Sequence, residues 1–398
     1  MVTMNRIAVV GASLAGLRSV EALRRNGFTG ELALIGAEQY FPPYDRPPLS
    51  KELLKGTWED ERARLKVADS FDAELLLGRR AESVDLDTGH VSLEDGSTVA
   101  FDGLVVATGA TCRTLPGTES MAGVHVLRDY GDCVALREEF AKSPRVVVIG
   151  AGFIGAEVAA TCRTLGLEVT VLEFLQWPME RVLGSAMGKW AIELHRSHGV
   201  DLRMSTSVKG LIGEGHVEGV GLADGTVIPA DVVVVAIGVF PETRWLEGSG
   251  LTLENGVVCD ATCRALGAEN VVAVGDVARW YNKAFEQDMR VEHWTNAIEQ
   301  ADAASRTLLS EPADSEPFIS VPYVWSDQYD KKLQYVGIVG EFVGVVEGSA
   351  EDGKFVAAFG SDGLLVGALC VNWPARMIRF KRAIQQKMTL AELAKGLP

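Results

Sequence analysis

The sequence predicts an α/β protein with two Rossmann-like βαβ nucleotide-binding domains and a smaller C-terminal α+β domain. Three observations carry that prediction. Two glycine fingerprints, Gly11-Ala12-Ser13-Leu14-Ala15-Gly16 and Gly150-Ala151-Gly152-Phe153-Ile154-Gly155, each follow a short apolar run, at 7–10 and 146–149. Each is followed by a second strand-like run that ends at an acid, Glu38 in the first unit and Glu173 in the second. Each unit then closes on a matched buried run ending in small residues: 102–109, with Ala107, Thr108 and Gly109, and 231–238, with Gly238. The same order occurring twice marks an internal duplication.

The fingerprint residues have separate tasks. The first glycine turns the strand sharply into the helix, the second lets backbone approach a pyrophosphate, and the third lets helix and strand pack closely. The helix N-terminus offers free N–H groups and partial positive charge to the phosphates. Both acids lie the expected twenty or so residues beyond their first glycine, where they bind a ribose hydroxyl pair. Ser13 occupies the middle glycine position of the first loop, which requires a negative φ and slightly more room. Two nucleotides held at once are the layout of an enzyme passing a hydride between a nicotinamide and a bound flavin.

A chain of 398 residues is too long for one ordinary domain, and its 47 % apolar content supports large cores. The longest apolar run, 232–239, is too short to span a membrane and reads as a buried parallel strand. A strand-like run begins within a few residues of the N-terminus, which predicts no signal peptide. Six scattered cysteines (112, 133, 162, 259, 263 and 370) form no Cys-x-x-Cys pair, so reduced thiols and a cytoplasmic location are expected. Cys259 and Cys263 read as packing residues, and no metal site is expected. A net charge of −16 argues against nucleic acid and anionic membrane surfaces as partners.

Turn-rich stretches at 87–89, 94–96 and 223–225 suggest hairpins within each nucleotide domain. The run 270–276 reads as another buried strand, ending in Gly275-Asp276, whose natural place is back in the first sheet. The second domain is then an insertion in the first. The expected organisation is a first nucleotide-binding segment at 1–111, a second nucleotide-binding domain at 112–239, a segment returning to the first at 240–316, and a C-terminal domain at 317–398. A Pro/Glu/Ser-rich stretch at 310–317 precedes the last of these.

Several further segments carry a family resemblance: Tyr44-Asp45-Arg46-Pro47-Pro48-Leu49-Ser50-Lys51, Ala107-Thr108-Gly109, the block around Asp276, Glu292-His293-Trp294 with Asn296, and Trp325-Ser326-Asp327-Gln328. Over its full length the chain resembles the FAD-dependent NADH:ferredoxin reductases of cytochrome P450 and Rieske-type oxygenase systems. These have a glutathione reductase-like fold, which rubredoxin reductases and apoptosis-inducing factor share. The resemblance implies that the first fingerprint (Gly11, Ser13, Ala15, Gly16) binds FAD and the second (Gly150, Gly152, Ile154, Gly155) binds NADH. It implies Glu38 at the FAD ribose, Arg46 and Lys51 at the FAD phosphates or isoalloxazine, and Ala81 at the adenine. Arg128 would contact the FAD, Asp276 the ribityl chain and Trp294 the flavin ring. Family members often carry Asp in place of Glu38, with one residue fewer before it, which makes Ala37 an insertion. In similar proteins Glu157 faces the lysine of the Pro-Pro-Leu-Ser-Lys motif beside the flavin. Its place on the first turn of the second nucleotide helix would favour a carboxylate. The pair reads either as a tuner of the flavin or as a structural salt bridge.

Hydride transfer to a flavin needs close stacking and exclusion of water rather than a nucleophile or general base. That agrees with the absence of any Ser-His-Asp constellation; His293 reads as orienting the flavin site. Electrons must then leave singly to an iron–sulfur partner, and Trp325 is the residue expected at the flavin edge, with a packing role as the alternative. Glu173 would repel a 2′-phosphate, and Phe174-Leu175-Gln176 supplies no cation to hold one, so NADH is favoured over NADPH. No cysteine precedes Cys112, which disfavours a cysteine-based flavoenzyme. Arg376, Arg379, Lys381, Arg382 and Lys387, with Lys331 and Lys332, form a basic cluster in an acidic protein. It reads as a docking patch for an acidic ferredoxin or as a solvated helix face. Two other functions stay open: a reductase of rubredoxin or a small organic acceptor, and a nucleotide-controlled association protein.

Overall fold

The computed structural model describes residues 4–118 and 120–396, leaving the side chain of Arg181 outside the description. It divides into two compact units. The first comprises the chain up to Asp45, Arg64–Thr111 and Phe240–Pro322; the second comprises Arg46–Ala63, Cys112–Val239 and the chain from Tyr323 onward.

The first unit is built on a five-stranded parallel sheet in the order Val271–Ala273, Gly103–Val106, Arg6–Val10, Glu31–Gly36, Glu74–Leu77. The strand at Val271–Ala273 returns to this sheet beside Gly103–Val106, as the sequence predicts. The central strands read as apolar runs because both faces are covered, with Ile7, Ala8, Val9, Leu104, Val105 and Val106 all buried. Helices Leu14–Arg25 and Trp294–Leu309 lie together on one face, where the Ser305 hydroxyl reaches the Ser19 carbonyl at 3.4 Å. The hairpins expected from the turn residues appear as the antiparallel sheet Ala81–Asp85, His90–Leu93, Thr98–Ala100.

The second unit repeats the plan. Its parallel sheet runs Asp201–Arg203, Val169–Leu172, Val146–Ile149, Val232–Val235, Val124–His125. The four valines of Val232–Val235 are buried, each adding about 1.5–3 kcal/mol of burial. A five-stranded antiparallel sheet, Tyr323–Gln328, Lys331–Gly337, Leu364–Val371, Lys354–Ser361, Glu341–Ser349, belongs to the same unit. Phe355, Phe359 and Leu369 of that sheet share a core with Ala156, Leu183 and Met187 of the nucleotide-binding part. Segment 46–63 packs in this unit although the chain around it belongs to the first, because Leu49, Ser50 and Lys51 are held by residues of the second.

Candidate functional site

In the first unit Gly11 turns the strand into the helix with φ +113°. A Cβ on Gly11 would fall 2.1 Å from the Ala107 carbonyl oxygen, and one on Gly16 would fall 1.8 Å from the Gly11 carbonyl oxygen. Ser13 caps the helix in extended backbone with φ −92°, the negative φ that a serine needs. The turn Gly275–Val277 lies against the same loop: a Cβ on Gly275 would meet the Ala15 Cβ at 3.2 Å. That turn carries Asp276, whose carbonyl accepts from Arg290 Nη1 at 3.1 Å. Glu38 lies just beyond the second strand and accepts a hydrogen bond from the Tyr44 hydroxyl. Trp294 Nε1 donates to Asp45 Oδ1 at 2.7 Å, fixing the indole at the first position of its helix. Burial pushes the Asp45 carboxyl above its ordinary range, and the Trp294 bond pulls the other way.

His293 caps that helix and is half-buried; desolvation of its ring pushes its pKa down to about 4, against the pull of Asp276. It is therefore a neutral imidazole at neutral pH, which suits an orienting role rather than proton transfer. Thr108 Oγ1 donates to the Glu242 carbonyl at 2.7 Å, and Gly109, with φ +69°, accepts from Glu242 N at 2.9 Å. Ala81 opens the strand Ala81–Asp85, on the hairpin sheet.

The second loop has the same skeleton. Gly150 has φ +104°, and its Cβ would fall 2.3 Å from the Ala236 carbonyl oxygen; a Cβ on Gly155 would fall 2.0 Å from that of Gly150. Gly152 caps the helix with φ −72° and faces open space. Ile154 is 43 % and Phe174 is 73 % exposed, which leaves apolar surface beside the loop. Glu173 grips its own loop: one oxygen accepts from Ala151 N at 2.6 Å and the other from Leu175 N at 2.8 Å. Gly238, with φ +97°, follows the buried valine strand.

Lys51 ends the short helical turn Pro47–Ser50, and its Nζ lies 2.7 Å from Glu157 Oε2. The two side chains are only 7 % and 3 % exposed. The Ser50 hydroxyl donates to the same oxygen, and Ser326 Oγ donates to Oε1 at 2.7 Å. One expectation is corrected here. The helix begins at Phe153, so Glu157 is its fifth residue and lies past the first turn, which holds no acid. The macrodipole fades within one turn, and direct donors hold this carboxylate instead. Arg46 and Arg128 come together, Arg46 Nη1 donating to the Arg128 carbonyl at 2.5 Å. Trp325 is half-buried, its ring stacked with Tyr323 at 6.0 Å between centroids.

The basic cluster is smaller than the sequence suggests. Arg376 lies 2.7 Å from Glu347 and over the Trp373 ring, Lys331 pairs with Asp330 and Lys332 with Asp327. Arg379 and Arg382 stay exposed on helix Pro374–Gln385. Lys381 and Arg382 line an open groove of about 470 Å³ with Tyr323, Gln334, Met377 and Ile378.

Sequence reasoning misses the partners of these residues: Tyr44 on Glu38, Asp45 on Trp294, and Ser50, Ser326 and Gln328 around Glu157. The alternation of Trp325-Ser326-Asp327-Gln328 carries the one available signal, since a strand sends Ser326 and Gln328 to one face.

Comparison with known proteins places this arrangement. Residues 5–301 match the pyridine nucleotide-disulphide oxidoreductase family and residues 323–394 match the reductase C-terminal family. The chain belongs to the pyridine nucleotide-disulphide oxidoreductases. It is 37 % identical over 390 residues to rhodocoxin reductase of Rhodococcus erythropolis, covering 96 % of this chain and 90 % of that protein. It is 37 % identical over 374 residues to the ferredoxin–NAD(+) reductase component of the anthranilate 1,2-dioxygenase system of Burkholderia cepacia, covering 92 % of this chain and 90 % of that protein. Putidaredoxin reductase, in its covalent complex with putidaredoxin, superposes with a TM-score of 0.91 at 30 % identity, covering 98 % of this chain and 95 % of that one. The fold of this chain is therefore that of the oxidoreductase family with the added C-terminal domain.

The residues present fit the two nucleotides used by this family, FAD and a pyridine nucleotide. Each loop has a glycine third position that no side chain can enter. Buried polar atoms at His293 Nδ1 and Asn296 Oδ1 have no hydrogen-bond partner among the described residues, so the helix at Trp294 can serve a polar ligand. The second helix is capped by a glycine, which brings no side-chain oxygen to its first amides.

Proposed function

We propose that the chain is a cytoplasmic, NADH-dependent ferredoxin reductase that supplies electrons to an oxygenase. In this reading Gly11, Ser13, Ala15 and Gly16 hold FAD with Glu38, Arg46, Ala81, Arg128, Asp276 and Trp294. Gly150, Gly152, Ile154, Gly155 and Glu173 hold NADH for one turnover. FAD, when bound, accepts a hydride from the reduced nicotinamide and gives up electrons one at a time. The chain's own residues bind, orient and tune. Trp294 is fixed by Asp45 at the flavin, and Lys51 supplies positive charge beside it. Glu157 holds Lys51 in place, and Trp325 marks the electron exit.

The observation that carries this reading is the end-to-end match to ferredoxin reductases, C-terminal domain included. The cysteines agree. None precedes Cys112, all six are unpaired, and burial pushes the Cys133 and Cys263 thiols up to about 11 and 12. Thiols pushed this far from ionisation are poor redox nucleophiles, which supports an acceptor other than a disulphide. Glu173 would repel a 2′-phosphate and favours NADH. Arg379, Lys381 and Arg382 supply positive charge to dock an acidic ferredoxin.

The test is anaerobic and spectroscopic. Purified protein should be yellow, bleach with NADH more efficiently than with NADPH, and reduce cytochrome c rapidly only after a [2Fe-2S] ferredoxin is added. Rapid reduction without ferredoxin would instead make it a small-acceptor reductase. In the same assay, the paired variant Arg379→Glu/Arg382→Glu should slow the ferredoxin-dependent step and flatten its salt dependence. An unchanged salt profile removes the docking role from this helix.

A further inference from the structure

The segment Trp325-Ser326-Asp327-Gln328 has two faces, and the proposed function uses only the outer one. On strand Tyr323–Gln328, Trp325 and Asp327 are partly exposed, whereas Ser326 and Gln328 are fully buried. The buried pair forms a directed chain of hydrogen bonds. Gln328 Nε2 donates to Ser326 Oγ at 3.0 Å, and Ser326 Oγ donates to Glu157 Oε1 at 2.7 Å. A hydroxyl has one hydrogen. Because its oxygen already receives an N–H from Gln328, that hydrogen is left for the carboxylate. The other carboxylate oxygen, Oε2, takes the Lys51 ammonium and the Ser50 hydroxyl. Glu157 is therefore held from both sides by segments far apart in the chain.

We propose that Ser326, oriented by Gln328, is a positioning residue for the Lys51–Glu157 pair and sets how strongly Lys51 acts on the flavin. The proposal rests on the reading that Lys51 lies beside the flavin. Its physics is a division of charge. A carboxylate carries one negative charge over two oxygens, and a charge-assisted bond to Oε1 draws part of it away from Oε2. The Lys51 ammonium is then less completely neutralised and favours the reduced, more negative flavin. Without the Ser326 hydroxyl the carboxylate turns its full charge on Lys51, and its Oε1 is buried without a donor, which the interior does not tolerate cheaply.

The experiment measures the flavin midpoint potential, the flavin absorption spectrum and the rate of flavin reduction by NADH in the FAD-loaded protein. Ser326→Ala should shift the potential negative and slow flavin reduction about tenfold, the scale of one charge-assisted hydrogen bond. Ser326→Thr keeps the hydroxyl and should restore both. Gln328→Leu, which frees the serine hydroxyl to rotate, should shift the potential in the same direction by less. Lys51→Met should shift it furthest. Flavin content and melting temperature report whether each variant folds, and Gln328→Leu decides the matter if Ser326→Ala does not retain flavin. If Lys51→Met moves the potential while Ser326→Ala and Gln328→Leu leave it in place, the positioning role is wrong and the Lys51 reading stands. If Lys51→Met leaves potential and reduction rate unchanged, Lys51 does not tune the flavin and both fall.

Discussion

The two glycine loops differ less in backbone than their sequences suggest, and they differ more in how their acids are used. The first glycines sit at φ +113° and +104°, and the third glycines press on the carbonyl of the first in the same way. The middle residues, Ser13 and Gly152, are both extended helix caps with negative φ, at −92° and −72°. The middle glycine is therefore not required by the turn; it provides room. The acids diverge. Glu38 takes a hydroxyl from Tyr44, six residues on, whereas Glu173 takes two backbone amides, one of them from within its own glycine loop. The first acid is steadied by a neighbouring side chain, and the second is part of its loop.

The largest effect should come from the position that the loops share. In Gly16→Ala and Gly155→Ala the new methyl meets backbone oxygen at 1.8 and 2.0 Å, so the loop itself must move, at a cost of about 1–3 kcal/mol or more. If the loops serve different nucleotides, the two variants separate. Gly16→Ala should purify with little or no flavin, judged by its absorbance. Gly155→Ala should purify yellow and fail to bleach with NADH. Loss of flavin from both would dissolve the distinction between a resident and an exchanging nucleotide.

The acids come next. A bond from a backbone amide to a carboxylate is worth about 1.5–3 kcal/mol. Glu173→Gln removes the charge from the acceptor of Ala151 N, so the Michaelis constant for NADH should rise about tenfold, and the preference over NADPH should shrink because the repulsion of a 2′-phosphate is gone. In Glu38→Gln the amide oxygen still accepts from the Tyr44 hydroxyl, so flavin content should fall by less than NADH affinity falls in Glu173→Gln. Steady-state kinetics with both coenzymes, beside flavin content, checks the pair; equal sensitivity of the two acids would erase the contrast.

What was legible in the sequence follows the range of the forces involved. The strand–turn–helix units and their acids are local, set within thirty or so residues by apolar runs and glycine sterics, and they could be read directly. The return of Val271–Ala273 to the first sheet was legible because a buried run needs two covered faces. The partners of the site residues were not. Trp294 and Asp45 are 249 residues apart, and Ser326 and Glu157 are 169 apart. No periodicity links such positions. Glu157 lies one residue beyond the first turn expected for it, because the helix starts directly after Gly152. Segment 46–63 shows the same limit: its sequence neighbours lie in one unit and its packing partners in the other.

The smallest effect should come from exchanging the middle residues. Ser13→Gly removes a side chain where φ is already unexceptional, so the folded loop loses no favourable turn geometry and the unfolded chain gains freedom worth at most about 1 kcal/mol. Flavin content should hold and the melting temperature should fall by a few degrees at most. Gly152→Ser places a hydroxymethyl where nothing lies within 4 Å, so the fold should accept it as it accepts Ser13. If this loop holds NADH as proposed, the burden would fall on the incoming pyrophosphate. The Michaelis constant for NADH should therefore rise several-fold while kcat and flavin content stay level. A rise in neither constant would mean that the room at Gly152 is not used by the nucleotide. A loss of flavin in Ser13→Gly would mean that the serine hydroxyl is itself a ligand, and the two middle positions would then differ in chemistry rather than in space.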